Sequence, residues 1–320
     1  MDELRTHERT QDAVLRALKA AADGIRLRIL RVLAEGPFHV AELTEILGAG
    51  QSSVSRHLRI LADAELVQVR RVGTWSWYSL REGTDEGAPA ARVLSILSAL
   101  PGLNGDADAV DRVLAKRRHA TSEFFRRTAP VWDTVRERHL GPAEHLEPLL
   151  DAIGRGRVVA DLGTGTGVLL ARLASTFDQV IGIDASPEML EEARRRLEDT
   201  GAEPAELRLG RLEHLPLADG EADVMVANLV LHHVADPAGV LREIRRGLAS
   251  RGRLVIADLE EYADDSLRAA LGAQWPGFRP ADVTTWLRAA GFTPRRSERI
   301  TRSNGAEPGP AIHLWEAIAR

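Results

Sequence analysis

Along the first hundred positions apolar residues recur every three or four places in short bursts, the spacing of amphipathic helices. Ile25, Ile29, Leu30 and Leu33 form one stripe, and Val40, Leu43, Ile46 and Leu47 the next. Gly36-Pro37 breaks the first run, and Gly48 with Gly50 ends the second. In "GQSSVSRHLRILADAEL", Val54, Leu58, Leu61 and Leu66 share an inward face, which leaves Gln51, Ser53, Ser55, Arg56 and Arg59 outside. The period then changes to two. "LVQVRRVGTWSWYSL" alternates about Gly73, the pattern of a β-hairpin with Arg70 and Arg71 on its first arm.

Residues 91–100, "ARVLSILSAL", are apolar on more than one face. They are expected to pair with the same helix of a second copy, the alternative being contact within one chain. Pro101-Gly102 and "NGD" break the chain, and "ADAVDRVLAKRRHATSEFFRRTAPVWD" then reads as one long amphipathic helix stopped near Pro130. Its Arg pairs suit a solvated face. Phe124, Phe125 and Trp132 belong either to a core or to the roof of a ligand pocket.

From Arg157 onward apolar strands alternate with helices. "RVVAD", "QVIGID", "ELRLG", "ADVMVAN" and "GRLVIADL" are separated by "VLLARLAS", "PEMLEEARRRL" and "VLREIRRGL". Such alternation predicts parallel strands with crossover helices, a doubly wound α/β sheet. The tail adds a helical cover ending at Gly291, with Trp275, Phe278 and Trp286 expected in its core, and a last strand in "HLWEAIAR". The expected domains are residues 1–100, a helical linker and pocket cover at 101–135, and residues 136–320.

Composition narrows the classes. The 320 residues are 44% hydrophobic and 28% charged, ordinary for a chain that buries a core. No cysteine is present, which excludes disulfides, thiolate metal sites and cysteine nucleophiles and points to a reducing cytoplasm. No apolar run approaches the roughly 20 residues of a membrane span, and the charged start is unlike a signal peptide. The net charge of −5 argues against wholesale coating of nucleic acid, yet the stretch from Gln51 to Arg81 holds five arginines against Asp63 and Glu65.

Helix, short turn, polar helix and basic hairpin together make a winged helix-turn-helix, whose second helix enters the major groove of double-stranded DNA. Gln51 and Arg56 suit base edges, the small Ser52, Ser53 and Ser55 permit close approach, and Arg70 and Arg71 suit phosphates. His57 and Arg59 complete the candidate set. Residues 22–80, with "RLRIL", "QSSVSRHL" and "VQVRRVG" in order, resemble the ArsR-type family of dimeric bacterial repressors. That resemblance implies a homodimer on a palindromic operator. Many members place paired cysteines where this chain has "PFHVAEL"; His39 is left there without metal-binding company and reads as a structural or surface histidine.

The stretch "VVADLGTGTGVLLARL" follows the first parallel strand. Gly163, Gly165 and Gly167 permit a tight turn that brings backbone amides against a ligand. A dinucleotide fingerprint would need glycine where Val168 stands, and Asp161 at the loop's entrance is a poor neighbour for pyrophosphate. An acid there suits a ligand with positive charge. Asp184, seventeen residues past Gly167, suits two ribose hydroxyls. A ribose, a cationic centre and no phosphate describe S-adenosylmethionine.

Residues 124–259 are similar to class I S-adenosylmethionine-dependent methyltransferases, of the small-molecule kind related to quinone-biosynthesis enzymes. "VADLGTGTG", "GIDASPEMLEEAR", "LEHLPLADGEADVMVANLVLHHVADP" and "GRLVIADL" carry the likeness. It implies a mostly parallel seven-stranded sheet with an antiparallel last strand. It also implies that Asp161 and the loop Gly163, Thr164, Gly165 and Gly167 hold the methionine part of S-adenosylmethionine or S-adenosylhomocysteine. Asp184 and Ala185 would meet the ribose, Arg211, Leu212 and Glu213 the adenine edge, and Asn228 the ammonium through its carbonyl. The family usually has an acid after Gly210; Arg211 departs from this.

In O-methyltransferases with an "LHDW" element a histidine is the general base, and "LHHV" puts His232 there with His233 beside it. The alternative is that this pair caps the strand and lines the pocket. Asn228 lacks the Pro-Pro-aromatic sequel that flips amino-bearing bases, so DNA base methylation is not expected. Arsenite methylation, which depends on thiols, is not expected either, and neither is a metal. Two functions follow: a DNA-binding regulator whose methyltransferase domain methylates a small molecule or senses the cofactor, or a small-molecule methyltransferase whose winged helix only dimerises.

Overall fold

The computed structural model describes residues 2–72, 75–81, 105–201, 205–300 and 309–320. Chain contacts divide it into two compact units, Met1–Lys116 and Arg117–Arg320. The apolar segment at 91–100 and the hairpin turn at Gly73 lie outside the described residues.

The first unit contains α1 (Asp2–Ala21), α2 (Gly24–Ala34), β1 (Phe38–His39), α3 (Val40–Leu47), α4 (Gln51–Asp63), β2 (Val67–Val72), β3 (Trp75–Leu80) and the first half of α5 (Gly105–Thr128). Capping chemistry sets the boundaries. The Asp23 carboxylate accepts from the amides of Ile25 and Arg26 at 3.0 and 3.1 Å, satisfying orphan donors at the start of α2. His39 starts α3: its ring accepts from the Glu42 amide at 3.4 Å while the Glu42 carboxylate accepts from the His39 amide at 3.1 Å. This histidine is structural. Gly48, at φ 61°, closes α3 in the left-handed region. Leu30, Phe38, Leu43, Val54, Leu58 and Leu61 are fully buried in one core. β2 and β3 pair antiparallel from Val67↔Leu80 to Val72↔Trp75, and β1 joins the far side of β3. Three helices and a short antiparallel sheet thus make the expected winged helix-turn-helix.

In the second unit the rest of α5 leads through a 3-10 turn at Ala129–Val131 into α6 (Trp132–Leu140) and α7 (Leu146–Ile153). The sheet follows, with β4 (Gly156–Leu162), β5 (Phe177–Asp184), β6 (Glu206–Leu209), β7 (Ala222–Asn228), β8 (Leu248–Leu259), β9 (Phe292–Arg299) and β10 (Ile312–Ala319). Interleaved helices are α8 (Leu170–Leu173), α9 (Pro187–Thr200), α10 (Pro237–Gly247), α11 (Asp265–Ala270) and α12 (Pro280–Ala289). The strand order is β6-β5-β4-β7-β8-β10-β9, parallel up to β8, with β10 antiparallel to both its neighbours. Val159, Ala160, Val226, Val255 and Ile256 are fully buried, as strands covered on both faces require.

Strand order reverses between β4 and β7. That is the switch point at which an open α/β sheet leaves a crevice beyond its carboxyl ends. The glycine loop leaves β4 there, and "NLVLHHV" leaves β7 there.

Candidate functional site

A cavity of about 410 Å³ fills this crevice, within the size range of small-molecule sites. The loop from Gly163 to Gly167 forms one wall, and two of its glycines show why. At Gly165, φ +53°, an added Cβ would find nothing nearer than the Gly163 carbonyl at 4.0 Å, so the missing side chain leaves open space for a ligand. At Gly167, φ +75°, a Cβ would press on the Ala193 Cβ at 3.0 Å, so that glycine lets α9 pack against the loop. One glycine makes room for something absent and the other for the fold.

Two carboxylates face the same cavity. Asp161, 2% exposed at the end of β4, accepts from the Thr164 hydroxyl at 2.6 Å. Burial raises its pKa to about 7, with the Thr164 hydrogen bond opposing and the nearby Asp184 charge assisting. Asp184, at the end of β5, accepts from the amides of Gly165 at 2.9 Å and Ser186 at 2.8 Å. Burial raises its pKa too, and those amides pull it back. Neither acid has a basic partner among the described residues. Such a hollow repels phosphate and favours a cation. Ala185, Leu212 and Asn228 also line it.

The turn expected at the adenine edge is present, but its charges are engaged: the Arg211 guanidinium lies 3.2 Å from the Glu213 carboxylate. Both residues line the cavity, so the acid there, Glu213, is already paired with Arg211. Asn228 Oδ1 lies 3.0 Å from His145 Nε2, a contact the sequence did not announce. Leu229, next in line, is held at φ 53°, an uncommon conformation for a branched apolar residue, and its amide donates to the Ala257 carbonyl at 2.7 Å.

The two histidines separate. His232, expected to face an acceptor, is 1% exposed and outside the cavity lining; its Nδ1 lies 2.6 Å from Asp258 Oδ1. The same Asp258 carboxylate accepts from the amides of Leu231 and Leu259, so His232 is locked into the turn. Because the chain after β7 enters a 3-10 turn at Leu231–His233, His233 is the one that lines the cavity. Its Nδ1 lies 3.3 Å from the Gly272 carbonyl, which can only accept, so Nδ1 carries the hydrogen and Nε2 a lone pair. Burial and the neighbouring His232 hold its pKa well below the usual range for histidine.

Phe125 and Trp132 roof the cavity, with ring centroids 5.2 Å apart and the Phe125 ring 4.8 Å from His233. Phe124 instead packs over Gly272, where a Cβ would collide with its ring. Trp275 and Phe278 are buried core residues, whereas Trp286 is half-buried at the edge of the cover. Asp133 ties roof to floor: it accepts from the Thr166 hydroxyl at 2.9 Å and pairs with Arg196, which also donates to the Thr166 carbonyl. Spacing along the chain offered no signal for this brace, since its members lie on α6, the glycine loop and α9.

In the first unit α4 presents Gln51, Ser52, Ser55, Arg56 and Arg59 to solvent, with Ser53 half-buried. His57 departs from the expected set: it is 6% exposed, with Nδ1 3.7 Å from the Asp23 carboxylate that caps α2. It sits one turn from Val54 and Leu61 on the inward face, so it belongs to the domain's interior. Arg70 and Arg71, being consecutive on β2, point to opposite faces; Arg71 is exposed and Arg70 half-buried.

Residues 153–290 match the family described as a methyltransferase domain, and residues 23–69 that described as bacterial regulatory protein, arsR family. An uncharacterized 37.1 kDa protein in transposon TN4556 of Streptomyces fradiae is 46% identical over 115 residues, 34% of this chain and 33% of that protein. An arsenite methyltransferase of Halobacterium salinarum is 36% identical over 115 residues, 35% of this chain and 29% of that protein. The chain spans about a third of the length of these two curated relatives. A ubiquinone biosynthesis O-methyltransferase of Xylella fastidiosa is 30% identical over 206 residues, 58% of this chain and 82% of that protein. Among solved structures, a chain from the complex of the Haloferax volcanii Trm112 methyltransferase activator with a methyltransferase aligns at TM-score 0.51. At 21% identity it covers 61% of this chain and 97% of its own, a likeness of fold.

Proposed function

Because the chain belongs to the S-adenosylmethionine-dependent methyltransferases and carries an arsR-family helix-turn-helix ahead of that domain, we propose a DNA-binding regulator that couples two chemistries. The second unit binds S-adenosylmethionine or its demethylated product and transfers methyl to a small-molecule acceptor. The first unit binds an operator as a homodimer, and occupancy of the pocket changes operator affinity.

The observation that carries the cofactor reading is the buried Asp161, without a basic partner among the described residues, beside the open face of Gly165. The donor set fits the group. Asp161 and Asn228 would meet the cationic methionine end, Asp184 has carboxylate lone pairs left for ribose hydroxyls, and Leu212 offers an apolar floor to the adenine. When bound, the sulfonium supplies an electrophilic methyl group. The chain's part is to hold the acceptor in line and dry: Phe125 and Trp132 exclude water from above, and His233 Nε2 can take a hydrogen from the nucleophile. The absence of cysteine argues against the arsenite chemistry named for the Halobacterium relative.

The DNA reading is supported by the row of exposed donors and cations on α4, which a helix used only for dimerisation does not need. The test is calorimetric. Titrating S-adenosylmethionine and S-adenosylhomocysteine, alone and with the upstream promoter DNA present, is expected to give binding in both cases with different affinities, since coupling is reciprocal. Equal affinities with and without DNA would refute the coupling and leave two activities merely sharing a chain. Absence of binding to either compound would refute the cofactor reading.

A further inference from the structure

The acceptor half of the cavity carries leftover hydrogen-bonding capacity of one kind. His233 Nε2 and Gln274 Oε1 are buried atoms without a hydrogen-bond partner among the described residues, and both residues line the cavity. Their polarity is fixed by their other contacts. The Gln274 amide nitrogen donates to the His233 carbonyl at 2.9 Å and lies 2.9 Å from the Thr121 hydroxyl, so Oε1 is the atom left over. His233 Nε2 is a lone pair for the reason given above. Both are acceptors. A ligand that completes them must bring hydrogens on oxygen or nitrogen, and a carbon nucleophile would leave both unsatisfied.

A third residue sets charge. Arg118, Ser122 and Phe125 follow one another at four and three residues on the face of α5 that lines the cavity. The cavity's other arginines are engaged: Arg136 lies 3.8 Å from Asp133, and Arg211 lies 3.2 Å from Glu213. Arg118 is half-buried and has no acidic partner among the described residues. It awaits an anion. Aromatic walls from Phe125 and Trp132 complete the chemistry.

We propose that the acceptor is an aromatic carboxylic acid bearing a hydroxyl or amine, its carboxylate on Arg118, its ring against Phe125 and Trp132, and its O–H or N–H on His233 and Gln274. This rests on the reading of the pocket as a methyl-donor site. In the transfer, the acceptor's oxygen or nitrogen lone pair forms the bond to the methyl carbon as the carbon–sulfur bond breaks, the electron pair staying on sulfur. The proton leaves the new ether or amine through His233 Nε2 to water.

The experiment uses the full chain saturated with S-adenosylhomocysteine. Calorimetry follows the binding of 3-hydroxybenzoate, 3-aminobenzoate, the methyl ester of each, and plain benzoate; mass spectrometry with S-adenosylmethionine follows transfer. The acids are expected to bind about tenfold more tightly than their esters, and benzoate more weakly than either substituted acid. Arg118→Ala is expected to erase the preference for acid over ester, and Arg118→Lys to restore part of it, while S-adenosylhomocysteine affinity stays unchanged. Methylation confined to the hydroxy or the amino compound identifies the nucleophile, and either result supports the proposal. Equal binding of acid and ester, or a preference that survives Arg118→Ala, overturns it. Failure of S-adenosylhomocysteine to bind at the outset is a different result, and overturns the underlying donor site.

Discussion

Asp161 is a carboxyl that the ligand-free fold tolerates at a cost, and replacing it should separate stability from binding. Its pKa stands at about 7 where an exposed aspartate titrates at 3.8. Between those values the folded chain holds a proton that the unfolded chain has already lost. Stability therefore falls as pH rises across the window and levels off above about 7. At about 1.4 kcal/mol per tenfold in proton affinity, the full loss is about 4 kcal/mol. Asp161→Asn removes the charge while keeping an oxygen for the Thr164 hydroxyl. The ligand-free variant should melt higher than the parent at pH 8, and its advantage should shrink by about 2 kcal/mol at pH 5.5, or about 4–8 °C in Tm for a domain of this size. Cofactor binding should move the opposite way. A cation docking on Asp161 must expel the proton below pH 7, so the parent's affinity for S-adenosylmethionine should drop about tenfold from pH 8 to pH 6. The variant should bind weakly with a flat profile. Melting curves and calorimetry at the two ends of the range suffice, and a stability difference independent of pH, or a variant that binds like the parent, refutes the reasoning.

Two further outcomes follow from the same structure. Arg56→Ala, on the exposed face of α4, should cost about 1–3 kcal/mol at the operator in a fluorescence-anisotropy titration without changing the melting temperature, and unchanged affinity would remove Arg56 from the recognition surface. Gly165→Val should abolish S-adenosylmethionine binding, because its side chain would occupy space empty of protein atoms, and its φ of +53° adds strain; retained calorimetric binding would place the ligand elsewhere.

Much of the architecture was legible because its signals are local. The central parallel strands β4, β5, β7 and β8 stood out as apolar runs, since strands buried on both faces need no alternation, whereas the edge strand β6 has no buried residue. Where burial is one-sided or carried by small side chains the pattern fades. β9, "FTPRRSER", buries only Phe292 at the sheet edge, and its Pro294 and charges are edge features that read as loop. α1 was missed for a related reason: among its described side chains the buried ones are Ala17, Ala20 and Ala21, while Leu15 and Leu18 are exposed. Helical spacing of large residues gave no hint of an inward face made of alanines.

The candidate site divides in the same way. Asp161, the glycine loop and Asp184 sit at strand ends, where the register of a parallel sheet fixes which residue faces the crevice, so a linear motif is enough to find them. The histidine pair sits one step beyond the strand, where the backbone turns into a 3-10 helix and the period of two no longer applies. Which neighbour faces the ligand is then decided by an anchor distant in sequence. Asp258, at the end of β8, takes hold of His232 and, through the Leu231 amide, of the turn itself, so His233 is rotated into the cavity. "LHHV" contains both candidates and no means of choosing between them, because the residue that chooses lies on another strand.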